Sequence, residues 1–335
     1  MVWSFTSVLF ILSAPLAYTD GFTQIAVQRQ PETYVWCVRS DGVACVLLYE
    51  PQEKVQGWFR VITGGTDGVD RILSVAVIPQ QNEDAVYFLV YRDGTLSGGS
   101  ATYCIERLDK HRSILQYATN SGNFPDIYST DNVSGQYPQS QPGINLVDSW
   151  VEATASPATL LTVSGLSHLN GRSVMALGYS VANQTYGPLQ NGAGGYTYTV
   201  SAGSVTLGEY ASGTVRVGLP YKGSYKSAKL AYGAPQGSTA LLRPKKVNSA
   251  GLLMQDTHPN AVKIGSDFDG IETMDYLPRL EDLNPVMTTG NLQRQYDKRP
   301  FPIANIWDTD ARICIEVQPG YPATLNAIVL DIETG

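Results

Sequence analysis

The stretch Tyr34-Val-Trp-Cys-Val-Arg-Ser-Asp-Gly-Val-Ala-Cys-Val-Leu-Leu-Tyr49 indicates the fold class of this chain. Two runs rich in apolar and β-branched residues, Tyr34 to Arg39 and Ala44 to Tyr49, flank the pair Asp41-Gly42. Asp-Gly favours a two-residue type I′ hairpin turn, because both central residues of that turn need a positive φ. The stretch therefore predicts an antiparallel β-hairpin.

The same hairpin makes a prediction about cysteine pairing. A two-residue turn places Cys37 opposite Val46 and Val38 opposite Cys45. Because side chains alternate between the two faces of a sheet, the two sulfur atoms would then lie on opposite faces and could not bond. We therefore predict free, buried thiols, which fits synthesis in a reducing compartment. The four cysteines of the chain are Cys37, Cys45, Cys104 and Cys314. They form no Cys-x-x-Cys motif, which would indicate a zinc ribbon or a redox site.

Short strands bounded by turn residues continue on both sides of this hairpin. Only the stretch from Glu106 to Ala118 tolerates a helix, and its apolar stripe is poor. The remaining strands are predicted at Phe22–Val27, Trp58–Thr63, Ile72–Ile78, Ala85–Arg92, Thr102–Arg107, Asp148–Glu152, Thr159–Val163, Ser173–Tyr179, Tyr196–Val200, Ser204–Leu207, Thr214–Leu219, Leu252–Thr257, Arg312–Val317 and Thr324–Ile332.

The composition agrees with a turn-dense β protein. The 335 residues include 32 Gly and 19 Pro, and only 16% are charged, against about 25% in typical soluble domains. Apolar residues make up 43% of the chain, which excludes intrinsic disorder, and no run is long enough for a bundle of membrane helices. The formal charge of −7 argues against general adhesion to nucleic acid or anionic lipid, so any contact with DNA must be local.

The turn pattern divides the chain into four segments. Residues 1–112 predict β sheets like propeller blades, because two successive antiparallel meanders of about 40 residues each have the period of such blades. Two blades cannot close a ring that typically needs about 4 to 8, so the propeller would be incomplete. Residues 113–145 read as a linker loop, residues 146–220 as a small β-sandwich or barrel, and residues 221–335 as a C-terminal β domain.

The N-terminus permits two interpretations. The apolar run from Val8 to Leu16 ends at Ala17 and is similar to a secretory signal. However, no Lys or Arg precedes the run, and Pro15 occupies the small-residue position before the cleavage point. An ordinary β-strand is the alternative. The run is too short to span a bilayer, which needs about 20 apolar residues.

Motifs for catalysis and metal binding are weak in this sequence. The nucleophile motif Gly-x-Ser-x-Gly is absent, and His111, His168 and His258 show no local pairing with Ser or Cys. Asp267-Phe-Asp-Gly270 resembles the beginning of a calcium loop but lacks the third alternate ligand and the later Glu. An enzyme with a distant triad or carboxylate pair has no positive signal, so we expect neither enzymatic activity nor a metal or cofactor.

Charge segregation is the unusual feature of the chain. The region from Tyr210 to Gln255 contains no Asp or Glu, whereas the region from Asp267 to Asp282 contains one basic residue, Arg279. The basic residues of the first region form the basic block, which we predict to be a surface that contacts nucleic acid or another subunit. The basic block consists of Arg216, Lys222, Lys226, Lys229, Arg243, Lys245 and Lys246. The acidic residues of the second region form the acidic block, for which we predict a contact with another subunit. The acidic block consists of Asp267, Asp269, Glu272, Asp275, Glu281 and Asp282.

The two blocks lead to a hypothesis about assembly. In a cyclic ring each subunit presents one patch to a different patch on its neighbour, so opposite charges within a chain can be complementary between chains. The basic block would then face the acidic block of the next subunit. Pairing of the blocks within one subunit, and two simply solvated faces, are the alternatives.

Several short motifs occur in an order that resembles the later part of tail tubular and DNA-stabilisation proteins of short-tailed bacteriophages. The resemblance covers about residues 20 to 335. The motifs are Tyr34-Val-Trp-Cys-Val-Arg-Ser-Asp-Gly, Ser74-Val-Ala-Val-Ile-Pro, Asp84-Ala-Val-Tyr-Phe-Leu-Val, Tyr103-Cys-Ile-Glu-Arg-Leu, Val217-Gly-Leu-Pro-Tyr, Arg243-Pro-Lys-Lys-Val, Gly265-Ser-Asp-Phe-Asp, Phe301-Pro, Trp307-Asp-Thr-Asp-Ala-Arg-Ile-Cys-Ile and Pro322-Ala-Thr-Leu.

The resemblance implies a virion structural protein without enzymatic activity. Such a protein is made in the host cytoplasm and forms a nozzle or hub ring at the tail, usually of six copies, through which the genome is retained and then ejected. Its partners would be further copies of itself, other tail or adaptor proteins and, transiently and without sequence preference, viral DNA; no membrane is implied. Family members are typically longer at the front, so this chain would be a fragment or a reduced version. The rival interpretation is a secreted carbohydrate-binding or sialidase-like β protein, which the N-terminal run and the 20 Tyr residues would suit.

Overall fold

The computed structural model describes residues 21–65, 69–80, 83–93, 101–108, 146–183, 185–230, 243–255, 257, 261–268, 275–276, 301–303, 307–321 and 323–334. This part of the chain is mainly β, and its sheets are antiparallel. It contains no α-helix and only one 3₁₀ turn, Ser167–Leu169, and none of its sheets closes on itself. The chain divides into two compact units, which meet in sequence between Tyr221 and Lys222.

The first unit begins with two small meanders. One sheet has four strands in sequential order, β1 (Phe22–Gln28), β2 (Tyr34–Arg39), β3 (Ala44–Glu50) and β4 (Val55–Val61). The other has three, β5 (Arg71–Ile78), β6 (Ala85–Arg92) and β7 (Thr102–Arg107).

These two sheets share one hydrophobic core. Trp36 and Val46 from the first sheet and Val75 and Phe88 from the second belong to the same buried cluster. The rings of Trp36 and Phe88 meet nearly edge to face, with centroids 5.3 Å apart. The alternation of apolar and polar residues therefore gives each sheet one face that packs against the other sheet.

The β2–β3 hairpin is present, but its predicted register is wrong. Cys37 lies opposite Cys45 and Val38 opposite Ala44, one residue away from the predicted pairing. The loop has three residues, Ser40 to Gly42, because the Arg39 N–H donates to the Val43 carbonyl and the Gly42 N–H donates to the Arg39 carbonyl, both at 3.0 Å. Only Gly42 of the Asp-Gly pair has a positive φ, 88°, as in a three-residue hairpin with a left-handed last residue.

Tertiary contacts favour the longer loop. The carbonyl of Gly42 accepts a hydrogen bond of 2.9 Å from the Ile72 N–H, at the beginning of β5. A Cβ on Gly42 would lie 2.4 Å from the Cβ of Arg71, so only glycine fits this approach. The docking of the loop on the second sheet thus selects a turn that the local sequence does not specify.

The first unit continues with seven strands around a second core. Four form a sheet in the order β11-β10-β14-β8, with β12 paired to β10, while β9 and β13 form a ribbon. Val163 and Val205 of the ribbon pack with Val174 and Val215 of the sheet in one buried cluster. The strands are β8 (Val147–Ala155), β9 (Thr162–Ser164), β10 (Ser173–Ser180), β11 (Thr185–Pro188), β12 (Thr197–Thr199), β13 (Ser204–Thr206) and β14 (Ala211–Pro220).

The second unit has its own core and two sheets, ordered β15-β20-β17-β18 and β19-β16-β21. Leu252, Ile264 and Ile315 come together in that core. The strands are β15 (Gly223–Lys226), β16 (Lys245–Gln255), β17 (Val262–Gly265), β18 (Asp275–Tyr276), β19 (Phe301–Pro302), β20 (Cys314–Val317) and β21 (Thr324–Thr334).

The strand predictions have specific errors. The strand predicted at Trp58–Thr63 begins earlier, at Val55, and the one predicted at Leu252–Thr257 is much longer and begins at Lys245. The stretch from Glu106 to Ala118, in which a helix was considered, is not helical at its beginning, because Glu106 belongs to β7. Residues 109–118 lie outside the described part. Among the described residues, no helix has the length and apolar character needed to cross a membrane.

Candidate interaction site

The outer face of the sheet β15-β20-β17-β18 carries part of both charge blocks. Tyr225, Ile315 and Ile264 share one row of the sheet and contribute to the core of the second unit. Their strand neighbours therefore occupy the opposite face, where Glu316 lies opposite Lys263. Alternation along three short strands thus places charged side chains together on one surface.

Two ion pairs use lysines of the basic block. Lys222 Nζ lies 2.8 Å from Glu316 Oε2, and Lys226 Nζ lies 3.0 Å from Asp267 Oδ1. The hydrogen bond from Lys226, together with one from the Phe268 N–H, lowers the pKa of the Asp267 carboxyl, and the same bond to Asp267 raises the pKa of Lys226. Both groups of this pair are therefore charged at neutral pH. Both are also exposed, so salt screens the pair strongly.

The Lys226–Asp267 pair joins the basic and acidic blocks within one chain. This contact corresponds to the intrasubunit alternative rather than to a contact between neighbouring subunits. Asp275 lies in β18, next to β17. The other acidic-block residues lie outside the described part: Asp269, Glu272, Glu281 and Asp282. Their contact with another subunit stays a prediction.

Two members of the basic block are buried, which corrects the predicted basic surface. Lys245 has no exposed area, and its ammonium donates a 2.8 Å hydrogen bond to the carbonyl of Arg243. Arg216 is 8% exposed. Its guanidinium lies 2.9 Å from a carboxylate oxygen of Glu152 and 5.1 Å from the ring centroid of Trp150. The prediction that both residues lie on a surface was based on a count of charges alone. That count does not show which face of β14 or β16 packs against the core.

The other members of the block remain accessible. Lys222, Lys226 and Arg243 are exposed, and Lys229 and Lys246 are half-buried. Lys246 lies directly opposite Glu333 of β21. A basic surface for DNA or a partner would thus draw on these five residues.

Sequence reasoning missed a buried ionic cluster in the first unit. Its four members come from distant parts of the chain, and we call them the ionic cluster: Asp70, Arg92, Glu106 and Arg172. Arg172 binds Asp70 through two hydrogen bonds, of 3.1 and 2.5 Å, and Arg92 binds Glu106 through two, of 2.9 and 2.6 Å. Arg92 also lies 3.4 Å from Asp70, which links the two pairs.

The ionic cluster connects the meander sheets to the strands that follow. Arg172 precedes β10, whereas Asp70 precedes β5, and Arg172 also donates a 2.6 Å bond to the carbonyl of Asp93. Nearby, Asp148 of β8 accepts a 2.6 Å bond from the Gly64 N–H. No local motif signals these contacts, because their partners are up to 102 residues apart. Long-range packing, not spacing, determines them.

The described side chains form no evident catalytic or metal site. His168 Nε2 lies 3.1 Å from the carbonyl of Ser149, whereas His111 and His258 lie outside the described part. No group of three or more His, Cys, Asp or Glu that could hold a metal occurs among the described residues. Of the calcium-like motif, Asp267 binds Lys226, and Asp269 and Gly270 are outside the described part.

Neither a protein-family model nor a curated protein matches this chain.

Proposed function

We propose that the protein is a virion structural subunit of a short-tailed phage, which forms a nozzle or hub ring in the tail for genome retention and ejection. The ordered set of motifs that begins at Tyr34 and ends at Pro322 carries this proposal. The proposed partners are further copies of the chain, other tail or adaptor proteins, and viral DNA in transient contact. The proposed place is the tail of the virion, after synthesis in the host cytoplasm.

Several described residues of the motifs support the fold, which agrees with a structural role. Asp84 accepts hydrogen bonds from the backbone N–H groups of Arg29 and Gln30, at 2.8 and 3.3 Å. Strand β14 ends within the motif that begins at Val217. Ile313, in the motif that begins at Trp307, belongs to the core of the second unit. A family defined by a rigid architecture would keep such positions.

The finer architecture belongs to the same proposal. The two meander sheets would be blades of an incomplete propeller. Residues 146–220 would form a small sandwich or barrel, followed by the C-terminal β domain of residues 221–335. The face-to-face core around Trp36 and Phe88 supports blade-like stacking, since successive blades pack through apolar faces. The ionic cluster would hold the meander sheets and residues 146–220 in a fixed arrangement within the first unit.

Ring assembly is the first test. Purified full-length protein is expected to give annular particles in negative-stain electron microscopy, with a mass in solution of six 36.3-kDa chains. The reason is that a heterologous contact whose rotation closes produces a ring. A monodisperse monomer would contradict the proposal, and a monomer that binds glycans would favour the carbohydrate-binding alternative.

DNA affinity is the second test. A conduit must release its cargo, so we expect weak, sequence-independent binding that falls with added salt. Replacing Lys229 and Arg243 by Glu should reduce the slope of log K against log salt by about 0.9 for each phosphate that the protein no longer neutralises. Arg29→Glu, an exposed change in the first unit, is the control and should leave the slope unchanged. Tight, sequence-specific binding at physiological salt would argue against a conduit.

A further inference from the structure

The corrected register of the first hairpin places two thiols side by side. Cys37 of β2 and Cys45 of β3 form a directly opposed pair, so their side chains lie on the same face of the sheet. Both are free and buried, with 2% and 0% of their area exposed. The predicted register separated these thiols; the observed one brings them together.

The register of this pair permits a disulfide after a small local movement of the two strands. The Arg39 N–H donates to the Val43 carbonyl, which marks a hydrogen-bonding position of the ladder. Because such positions recur every second residue, Cys37 and Cys45 occupy another one. The Cα atoms of such a pair are about 5.5 Å apart. Disulfides most often join Cα atoms that are about 5.5–6 Å apart, so the bond needs no change of register. The Cβ atoms of directly opposed residues are about 4.5–5.5 Å apart, against about 3.5–4.5 Å in a disulfide, so the two strands must move closer together locally.

Charged neighbours distinguish the two sulfur atoms. Burial raises the pKa of both thiols, but the guanidinium groups of Arg39 and Arg60 act in the opposite direction on Cys45. Arg60 lies directly opposite Cys45 on β4. The carboxylate of Asp41 adds to the rise on Cys45, and burial outweighs the two guanidinium groups, so the pKa of Cys45 stays above its usual value. Cys45 is nevertheless the sulfur nearer to positive charge, so we assign it the first reaction with an oxidant, and that reaction is slow.

We propose that Cys37 and Cys45 are a redox-active cross-strand dithiol, which a hydroperoxide converts into an intrachain disulfide between β2 and β3. This inference does not depend on the proposed tail function. The sulfur of Cys45 attacks one peroxide oxygen, the O–O bond breaks, and water or an alcohol leaves with the thiol proton, giving a sulfenic acid. The sulfur of Cys37 then attacks the sulfur of Cys45 and expels the sulfenic oxygen as water. Two thiols and one hydrogen peroxide thus give one disulfide and two waters.

The burial of the pair fits a small oxidant. Hydrogen peroxide is little larger than water, so a limited opening of the sheet gives it access where a bulky disulfide reagent is excluded. The product closes the hairpin from Cys37 to Cys45 covalently, without joining any other strand. The cross-link would therefore fix the loop that docks on β5.

Peptide mapping of the full-length protein tests this inference. The reduced protein is treated with hydrogen peroxide, its remaining thiols are blocked in denaturant, and it is digested with trypsin. Cleavage after Arg29, Arg39 and Lys54 separates the two cysteines into the peptides Gln30–Arg39 and Ser40–Lys54. We expect these two peptides as one linked species that a reductant resolves, and a decrease from four free thiols per chain to two.

Matched variants identify the pair. With Cys104 and Cys314 both replaced by Ser, the linked species should still form, whereas Cys37→Ser or Cys45→Ser should abolish it. If the double variant does not fold, the peptide map of the wild-type chain answers the same question. Oxidation of half-buried Cys104 without any linked Gln30–Arg39 and Ser40–Lys54 species would overturn the proposal. Linkage of Cys37 or Cys45 to another cysteine would also overturn it.

Discussion

Replacing Arg172 by Ala is expected to lower the free energy of unfolding of the first unit by about 3–5 kcal/mol. The change removes two hydrogen bonds to Asp70 and one to the carbonyl of Asp93. The carboxylate of Asp70 is only 1% exposed, so it would remain largely desolvated with Arg92 as its nearest cation, at 3.4 Å. An incompletely compensated buried charge costs much more than the original pair contributes.

Urea unfolding measures this effect, with tryptophan fluorescence as the signal. Arg107→Ala is the matched control, because Arg107 is exposed on β7 and should change stability by no more than about 0.5 kcal/mol. Arg172→Lys should recover only part of the loss, since a single ammonium cannot replace the two-pronged contact. Equal stability of Arg172→Ala and Arg107→Ala would show that the ionic cluster does not hold the first unit together.

Replacing Lys245 by Glu is expected to destabilise the second unit by about 3–5 kcal/mol, or to prevent its folding. Lys245 is fully buried and donates to a backbone carbonyl. Its own backbone exchanges two hydrogen bonds with Asp308, of 2.8 and 2.9 Å. A carboxylate at this position would be desolvated beside a carbonyl oxygen and could not donate.

The comparison with Arg243→Glu separates stability from surface charge. Arg243 is exposed and two residues away, and its reversal changes the net charge by the same amount. Circular dichroism and urea unfolding should therefore show a large loss for Lys245→Glu and little change for Arg243→Glu. A stably folded Lys245→Glu protein that has lost only DNA or subunit binding would mean that Lys245 belongs to the basic surface after all.

Most strands could be predicted because their signal is local. Alternating apolar residues between turn residues indicated Tyr34–Arg39, Ala85–Arg92 and Thr102–Arg107 with the bounds that the structure has. The missed strands, such as β15 and β17, are four residues long and carry little periodicity of their own. They exist because β20 lies between them and supplies hydrogen bonds to both.

The candidate site was less predictable, because a charge count carries no information about burial. The basic block does contain exposed lysines, and one of them binds the acidic block at Asp267. However, the same block contains buried Lys245 and buried Arg216, and nothing in their sequence neighbourhood distinguishes them. Likewise, Asp70 and Arg172 are charged residues that the sequence alone would place on the surface. They are buried because two segments that are distant in the sequence pack together around them.

The order of residues is enough to specify an antiparallel β protein, because side-chain alternation and turn residues act within a few positions of each other. It is also enough to place a hairpin between Tyr34 and Glu50. The register of that hairpin, in contrast, depends on contacts with a distant part of the chain. The docking of Gly42 against Arg71 and Ile72 selects a three-residue loop, and a one-residue difference in register determines which side chains share a face. Cys37 and Cys45 therefore face each other for a reason that lies outside the hairpin.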